Sequence, residues 1–292
     1  MKIAIYGRPT EDNVSEHIQT LFNKLKEYNA DVIIYQPFYK YIHQKLKLTT
    51  PISFFNTPTE LTKDIDYILS LGGDGTFLEL LMYVRNSGIP MLGINTGRLG
   101  FLANVAKTEI ANAIDSIAQK KFIIEKRALL SLEDPTKLFG DLNYGMNELT
   151  VMKKDSSSMI TIHAYVNNEY LNSYFADGLI IATPTGSTAY SLSCGGPLIM
   201  PGSENFVITP IAPHNLNVRP LVISDNNIIT LKVTGRSSHY LVSLDSRSEI
   251  IDSSIELTIK KANFCVNLIQ LENQSFFNTI RNKLLWGLDK RN

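Results

Sequence analysis

The chain has 292 residues, 44% hydrophobic and 19% charged, a composition typical of a globular protein of about two domains. Its 28 basic and 28 acidic residues cancel, which disfavours partners drawn by a global field, such as nucleic acid or an anionic membrane. No apolar run reaches the roughly 18 residues of a membrane-spanning helix, and the N-terminus lacks the apolar core of a signal peptide. We therefore expect a cytoplasmic protein. Two cysteines without a CxxC motif disfavour a disulfide framework and a structural zinc site.

The N-terminal part of the chain alternates between strand and helix patterns. The predicted strands are Lys2–Gly7, Asp31–Tyr35, Asp66–Leu71 and Ile89–Ile94. The predicted helices, whose apolar residues recur at helical spacing, are Val14–Tyr28, Thr76–Asn86 and Glu109–Lys120. Alternation with short connections predicts an α/β domain with a parallel sheet and flanking helices.

From about Phe122 strand patterns dominate, and Asn167-Asn168 between two of them is a tight-hairpin signal. The predicted strands are Ser158–Val166, Glu169–Phe175, Leu179–Ala182, Pro220–Ile223, Ile228–Val233, Tyr240–Leu244 and Ser254–Lys260. A last helix is predicted over Ser275–Leu285 and is expected to return to the first domain. We thus predict an α/β domain of residues 1–122 plus about 268–292, and a β-rich, sandwich-like domain of residues 123–267.

One segment pairs glycines with a carboxylate directly after a predicted buried strand. Gly72-Gly73-Asp74-Gly75 lies between the strand ending at Leu71 and the helix beginning at Thr76. Glycines let the backbone approach a phosphate closely, and the N-terminus of a helix supplies N–H donors. Because a carboxylate repels phosphate, Asp74 indicates either a base for a hydroxyl group or a ligand of a screening metal ion. The alternative is an ordinary turn with Asp74 as helix cap.

Three further segments suit a nucleotide ligand. Gly93–Leu102 turns at the carboxyl end of a strand, where open α/β sheets bind ligands, and its Arg98 suits a phosphate or a carboxylate. Asn147-Glu148 combines an amide with a carboxylate, as a sugar diol requires, although exposed polar residues before a strand would look the same. Thr183–Ser193 places many hydroxyl groups around Tyr190, which suits hydrogen bonds to a base and stacking on it. A purely structural loop does not readily explain so many hydroxyls.

Several common catalytic signatures are absent from the sequence. It contains no GxxxxGK[ST] motif, and no GxGxxG motif follows the first predicted strand. It also lacks HExxH and GxSxG motifs, and its five histidines are scattered. A P-loop enzyme, an ordinary Rossmann dehydrogenase and a hydrolase are therefore all disfavoured.

In their order and spacing, these segments resemble those of the NAD kinase family. The matching pieces are Gly72–Thr76, Gly93–Gly97 with Leu99–Phe101, Asn147-Glu148, and Asp177-Gly178 with Thr183–Ser193. The glycine–aspartate turn alone also occurs in lipid kinases and phosphofructokinases, whereas the Thr-Pro-Thr-Gly-Ser-Thr-Ala-Tyr run is much more specific. The resemblance covers the chain from the first strand to about residue 250.

The resemblance implies a phosphotransferase that moves the γ-phosphoryl group of ATP to the 2′-hydroxyl of the adenosine ribose of NAD, giving NADP. It implies NAD and ATP as substrates, a divalent cation (Mg²⁺) bound mainly through the ATP phosphates, and a homo-oligomer, either a dimer or a tetramer. The absence of a dedicated metal-ligand cluster from the sequence agrees with a cation carried on phosphates and water.

Carried over residue by residue, the resemblance makes Asp74 the base for the 2′-hydroxyl, with Gly75 beside it in the phosphate turn. It implies that Asn147 and Glu148 hold ribose hydroxyls and that Asp177 contacts the nicotinamide end. The residues expected to frame adenine are Thr185, Thr188, Ala189, Tyr190, Ser191, Leu192 and Ser193. Ala212 falls where family members bring backbone close to the dinucleotide.

The sequence departs from the family pattern at two places. Phe175 stands where many members have a basic residue, and Asp245-Ser246-Arg247 replaces Asp-Gly-Gln. Arg247 is interpreted either as a substitute charge that binds a phosphate or as an exposed residue paired with Asp245 or Glu249.

Two other functions are weighed against an NAD kinase. A lipid kinase of the diacylglycerol type shares the glycine–aspartate turn, but the hydroxyl-rich Thr183–Ser193 disfavours an apolar acceptor. A non-catalytic dinucleotide sensor would gain nothing from a carboxylate at Asp74 facing phosphates. The sequence therefore favours the kinase.

Overall fold

The computed structural model describes residues 1–9, 15–46, 48, 51–154, 159–272 and 274–287 of the chain. Contacts divide the chain into two compact units, which are Met1–Lys126 with Val266–Asn292 (unit 1) and Arg127–Cys265 (unit 2). Both changes of unit along the chain fall inside strands, Phe122–Asp134 and Leu257–Leu271. This explains why the sequence shows no linker composition at either point.

Unit 1 has the predicted alternation of strands and helices. Its elements before residue 120 are β1 (Lys2–Gly7), α1 (Ser15–Glu27), β2 (Asp31–Tyr35), α2 (Gln36–Ile42), β3 (Ile52–Phe55), β4 (Tyr67–Gly72), α3 (Asp74–Val84), β5 (Met91–Asn95), β6 (Val105–Ala106) and α4 (Ile110–Ala118). The predicted start of α1 at Val14 lies outside the described residues. The short elements α2, β3 and β6 were not predicted.

The central sheet of unit 1 is parallel, with strand order β5-β4-β1-β2-β3. Apolar residues of β1 and β4 are buried on both faces, as a sheet covered by helices on both sides requires. The chain runs outward from β1 through β2 to β3 and then returns to the other side of β1 through β4 and β5. The order therefore reverses between β1 and β4, and ligands of open α/β sheets bind at the carboxyl ends of such a pair.

Unit 2 is built almost entirely of strands. In chain order the remaining elements are β7 (Phe122–Asp134), β8 (Tyr144–Gly145), β9 (Glu148–Lys153), β10 (Ile160–Val166), β11 (Glu169–Ala176), β12 (Gly178–Ala182), α5 (Tyr190–Ser193), β13 (Asn205–Ile211), β14 (Leu221–Ser224), β15 (Ile229–Thr234), β16 (His239–Leu244), β17 (Arg247–Asp252), β18 (Leu257–Leu271) and α6 (Phe276–Leu284), the last belonging to unit 1. The predicted strand start at Ser158 lies outside the described residues.

Two antiparallel sheets pack against each other in unit 2. One has the order β14-β13-β12-β9-β16-β17, and the other contains β11-β10-β15-β18. Apolar side chains from both sheets form one core, as in a sandwich. Asn167 and Asn168 have φ values of 51° and 67° and join β10 to β11 in the predicted hairpin.

The predicted fold class, an α/β N-terminal domain with a β-rich domain and a final helix, is confirmed. β18 is longer than predicted and extends to Leu271. β13 was not predicted because Pro210, which cannot donate to a ladder, lies within it. None of the helices in the described part of the chain is long and apolar enough to cross a membrane.

Candidate active site

The site residues that were predicted from the sequence lie in two groups, one in each unit. In unit 1, the Asp74 carboxylate is held by three main-chain N–H groups. Phe101 N–H donates to Oδ2 at 2.8 Å, and the N–H groups of Leu102 and Ala103 donate to Oδ1 at 3.0 and 2.8 Å. An ionised carboxylate has about four acceptor positions, so about one is left for a ligand proton. These bonds fix the orientation of the Asp74 carboxylate, which belongs to the first residue of α3.

Two glycines allow the loop after β5 to reach this carboxylate. A Cβ atom at Gly100 would lie 1.9 Å from Asp74 Oδ1, and one at Gly93 would lie 2.5 Å from the carbonyl oxygen of Leu102. Both distances are far below van der Waals contact, so a side chain at either position would displace the loop. Gly93 and Gly100 are therefore needed to keep this loop in contact with Asp74.

The same loop is supported by the C-terminal part of unit 1. Lys283 Nζ of α6 donates to the carbonyl of Leu99 at 2.7 Å and lies 5.6 Å from the centre of the Phe101 ring. Gln274 Nε2 donates to the carbonyl of Asn104 at 3.2 Å. The final helix thus fastens the segment that orients Asp74. Arg98, in the same loop, has an exposed side chain.

In unit 2, Asn147 and Glu148 lie at a strand end, the geometry that allows adjacent residues to share a site. The Asp245 carboxylate accepts the N–H groups of Met146, Asn147 and Glu148 at 2.8, 2.8 and 3.2 Å. Asp245 N–H in turn donates to the carbonyl of Glu148 at 3.0 Å. Asp245 therefore acts as a clamp on the main chain that carries the two proposed ribose-binding residues.

The Thr183–Ser193 segment packs directly on Asn147. A Cβ atom at Gly186 would lie 2.0 Å from the carbonyl oxygen of Asn147, so only glycine fits there. Thr183 N–H donates to the same carbonyl at 2.9 Å, and Thr183 Oγ1 donates to the carbonyl of Met146 at 2.5 Å. The structure thus brings together the Asn147-Glu148 pair and the proposed adenine segment.

Most hydroxyl groups of this segment have partners within the fold. Ser187 Oγ donates to the carbonyl of Pro184 at 2.7 Å, and Thr188 Oγ1 donates to that of Thr185 at 3.0 Å. Ser191 Oγ lies 2.8 Å from Thr209 Oγ1. The expectation that a structural loop does not explain these hydroxyls is therefore wrong. Among the predicted adenine residues the exposed side chains are those of Tyr190 and Ser193, the half-buried ones are Thr188, Ala189 and Leu192, and the buried ones are Thr185 and Ser191.

Asp177 lies at the other end of the β9–β12 pair. Glu148 pairs with Ala182 and Met152 with Gly178, so the two ends are roughly 13 Å apart along the strand. Burial raises the pKa of Tyr190, and the charges of Cys194 and Asp177 raise it further.

Two other features lie at this end of the sheet. Ala212, exposed and with a φ of 43°, directly follows β13. The neighbouring Ile211 accepts the N–H of Asp177 at 3.0 Å. Lys153 Nζ lies 2.7 Å from Asp177 Oδ1 and supplies a positive charge beside Asp177, which follows Phe175 by two residues.

Arg247 is half-buried and not exposed, and its charge interacts with that of Asp245. Its Nη1 donates to the carbonyl of Leu142, its Nη2 donates to that of Tyr144 at 2.6 Å, and the guanidinium lies 5.6 Å from the Phe139 ring centre. Arg247 therefore fixes the main chain at Leu142 and Tyr144, shortly before Asn147.

Two basic residues that contact predicted site residues, Arg127 and Lys153, were not predicted from the sequence. Arg127 is buried in β7 and donates from Nη1 to Thr185 Oγ1 at 3.2 Å. The sequence carries little signal for either residue, because Glu125 and Lys126 stand directly before Arg127 in β7 and Lys153 is the last residue of β9.

The carboxyl group of Glu148 has an unusual environment. Burial, followed by the charge of Asp245, raises its pKa to about 8, although a hydrogen bond from the Tyr190 N–H opposes this. Its Oε2 atom is buried and has no hydrogen-bond partner among the described residues. A protonated Glu148 carries one O–H donor and can also accept, which suits a ribose hydroxyl.

Glu148→Gln is expected to raise the melting temperature relative to the wild type by an amount that grows between about pH 5 and about pH 8. The carboxyl group stays protonated in the folded protein up to a pKa of about 8 but ionises near its ordinary value of 4.5 when unfolded. Unfolding therefore releases a proton in this range, so the wild type loses stability as pH rises, and the loss levels off above the folded pKa. Gln does not titrate.

Thermal denaturation across this pH range measures the difference. Glu249→Gln, at an exposed glutamate of β17, is the control. A melting-temperature difference between Glu148→Gln and wild type that does not change with pH would contradict the prediction.

Two solved structures, both of kinases, share this fold. The chain superposes on the crystal structure of yeast NADH kinase complexed with NADH with a TM-score of 0.86 and 24% identity, covering 99% of this chain and 89% of that one. It also superposes on an NAD kinase from Archaeoglobus fulgidus in complex with ATP, with a TM-score of 0.74 and 25% identity, covering 97% and 99%.

Sequence comparison agrees. Residues 3–122 match the ATP-NAD kinase N-terminal domain and residues 146–271 the ATP-NAD kinase C-terminal domain. NAD kinases of Flavobacterium psychrophilum, Cytophaga hutchinsonii and Bacteroides fragilis are 51%, 46% and 45% identical, each over 100% of both chains. The chain belongs to the NAD kinase family, phosphotransferases with an alcohol group as acceptor.

Proposed function

We propose that Asp74 is the base in the transfer of the γ-phosphoryl group of ATP to the 2′-hydroxyl of the adenosine ribose of NAD. The hydroxyl proton passes to the carboxylate while the oxygen forms a bond to the γ-phosphorus. The bond from the γ-phosphorus to its bridging oxygen breaks, and ADP leaves with that oxygen. The observation that carries this role is the fixed Asp74 carboxylate at the first position of α3.

The phosphates of ATP are proposed to bind at the Gly72–Gly75 turn. The first N–H groups of α3 are available there as donors, and Gly73 and Gly75 are exposed with open space where a Cβ would be. Among the described residues, no group of three His, Cys, Asp or Glu side chains is placed to hold a metal ion. We therefore treat Mg²⁺ as part of the donor substrate, where it screens the phosphate charge.

The acceptor is proposed to bind along unit 2. Asn147 and Glu148 would hold the ribose hydroxyls, and Asp177, with Ala212 beside it, would contact the nicotinamide end. Exposed Tyr190 suits stacking on adenine, with Thr188, Ala189, Leu192 and Ser193 around it. Because Thr185 and Ser191 are buried, they would act by shaping the segment and not through direct side-chain contact.

The reaction is tested by incubating the purified protein with ATP, Mg²⁺ and NAD and measuring NADP with an NADP-specific dehydrogenase. A parallel incubation with diacylglycerol and labelled ATP tests the lipid kinase alternative. NAD binding in a calorimeter without any NADP after long incubation would favour the sensor. Formation of NADP at a rate proportional to enzyme would support the proposal.

Glu148→Gln is also expected to raise the Michaelis constant for NAD more than that for ATP. Gln donates only from nitrogen and cannot supply an ionised carboxylate as acceptor, so its hydrogen bonds to a ribose hydroxyl are altered. No role in ATP binding is proposed for this residue. Steady-state kinetics with each substrate varied in turn measures the two constants. An equal effect on both Michaelis constants, or a larger effect on that for ATP, would indicate that Glu148 acts in ATP binding.

We also propose that the protein is cytoplasmic and forms a homo-oligomer. We propose that unit 1 carries the phosphate turn and unit 2 the dinucleotide-binding residues, in a dimer or tetramer. Light scattering of the purified protein at several concentrations measures the oligomer size.

A further inference from the structure

A positively charged side chain follows β1 at the point where the sheet of unit 1 reverses its order. Gly7, the last residue of β1, pairs with Leu71 of β4, so Arg8 comes level with Gly72. Adjacent strands are about 4.8 Å apart, which places the Arg8 backbone beside the start of the glycine–aspartate turn. Ligands of open α/β sheets bind at this kind of position.

Arg8 is anchored by a fixed counter-charge. Its Nε atom lies 2.5 Å from Oε2 of Glu79 on α3, and the Tyr6 hydroxyl is 3.4 Å from the same oxygen. The Glu79 side chain is only 18% exposed, whereas that of Arg8 is 60% exposed. Contacts to Glu79 and Tyr6 use a minority of the five N–H donors of a guanidinium. The anchor therefore orients the guanidinium while most of its surface faces solvent.

The surroundings of Glu79 are rigid. Tyr6 is 2% exposed and packs against Tyr35 and Tyr83, with ring centroids 4.8 and 5.1 Å away. Burial, followed by the charge of Glu79, raises the pKa of Tyr6 to about 12, so its hydroxyl stays protonated and can donate to Glu79. An exposed ion pair contributes only about 0–1 kcal/mol to stability, which gives little structural reason for such an arrangement.

The two acidic residues of α3 contact different flanks of the sheet, and among the described residues only one of them is paired with a cation. Asp74 is bonded to the loop after β5, and Glu79 is bonded to Arg8 after β1, with β4 between β1 and β5 in the sheet. The glycine turn that precedes α3 thus has a carboxylate on one flank and a guanidinium on the other. Arg8 would therefore add a positive charge on the flank opposite Asp74, beside the N–H groups of α3 and the Mg²⁺ of the donor nucleotide.

We propose that Arg8 binds a phosphate group of the donor nucleotide at this turn, with Glu79 as the residue that positions it. The inference rests on the proposed function, since it assigns ATP to the Gly72–Gly75 turn. A guanidinium presents a planar fork that matches two phosphate oxygens. In phosphoryl transfer such a cation also stabilises the negative charge that accumulates on the leaving ADP.

Calorimetric titration of Arg8→Ala with MgATP, MgADP, AMP and NAD tests the contact directly. Affinity for MgATP and MgADP is expected to fall about 10–100-fold, the effect of losing a charge-assisted hydrogen bond, with smaller losses for AMP and NAD. Arg8→Lys should recover part of the loss. The affinity of the wild type should decline more steeply with salt than that of Arg8→Ala.

Glu79→Gln tests the positioning role. It should weaken MgATP binding less than Arg8→Ala does, and the double variant should bind no more weakly than Arg8→Ala alone, because both changes act through one contact. Arg236→Ala, at an exposed arginine of unit 2, is the matched control and should bind all four nucleotides like the wild type.

Equal affinities of Arg8→Ala and Arg236→Ala for MgATP would overturn the inference. So would an equal loss for all four nucleotides together with a lower melting temperature, which would indicate a structural role, or a loss confined to NAD. Wild-type protein that binds MgATP but forms no NADP would refute the proposed function alone. The binding comparison would still decide the role of Arg8.

Discussion

Asp74→Asn is expected to keep NAD and ATP binding and to lose about 10²–10⁴-fold in turnover, the usual contribution of a general base. The amide cannot accept the 2′-hydroxyl proton, so the attacking oxygen would have to lose it to water. The measurement is NADP formation at saturating substrates, with binding constants from calorimetry. A folded Asp74→Asn protein with near-normal turnover would exclude the role.

Asp74→Asn also weakens the hydrogen bonds that hold the loop after β5, so a control variant is needed for this structural effect. Three N–H groups donate to its carboxylate, and an amide offers a single acceptor oxygen while its NH₂ group would face the Phe101 N–H. The substitution therefore also loosens the loop, and a lower melting temperature is expected. Lys283→Ala loosens the same loop, since Lys283 Nζ donates to the carbonyl of Leu99 at 2.7 Å, but leaves the Asp74 carboxylate and its three N–H donors unchanged.

The two variants separate chemistry from structure. If Asp74 is the base, Asp74→Asn should lose far more turnover than Lys283→Ala, out of proportion to any difference between their melting temperatures. If Asp74 only fastens the loop, the two losses in turnover should follow their losses in stability. Binding of ATP and NAD, measured for both, shows whether either variant has lost the substrates instead.

Local sequence pattern was sufficient for the fold class. The apolar run before Gly72 and the helical spacing after Asp74 predicted β4 and α3 to within two residues. Asn167-Asn168 predicted its hairpin because asparagine tolerates the positive φ values that such a turn requires. In each case the determining interactions lie within a few residues along the chain.

The contacts that hold the candidate site residues join parts of the chain that are far apart in the sequence. The bond from Phe101 to Asp74 spans 27 residues, and that from Met146 to Asp245 spans 99. Only the completed sheets bring such partners together, so the clamp function of Asp245 was not visible in the sequence. The partner of the Ser191 hydroxyl was missed for the same reason, because only the fold brings Thr209 to it. Ser187 and Thr188, in contrast, bond to carbonyls three residues before them.

Gly186→Ala is expected to weaken NAD binding strongly and to lower stability. The added Cβ would lie 2.0 Å from the carbonyl oxygen of Asn147 and 2.5 Å from its carbonyl carbon. That carbonyl has little freedom to move, because it accepts the Thr183 N–H and its own residue donates to Asp245. Overpacking typically costs about 1–3 kcal/mol, and a clash with fixed backbone belongs at the upper end of this range.

The relief of this clash must move either Asn147 or the Thr183–Ser193 segment, which are the parts proposed to bind ribose and adenine. The Michaelis constant for NAD should therefore rise much more than that for ATP. Gly235→Ala is the matched control, since its Cβ would meet nothing closer than 3.4 Å, and its melting temperature should stay near that of the wild type. If Gly186→Ala loses stability but a folded sample binds NAD normally, the packing of this segment on Asn147 serves only the fold. Adenine would then have to bind elsewhere in unit 2, because a shift large enough to accommodate a methyl group would have disturbed any ligand held by both parts.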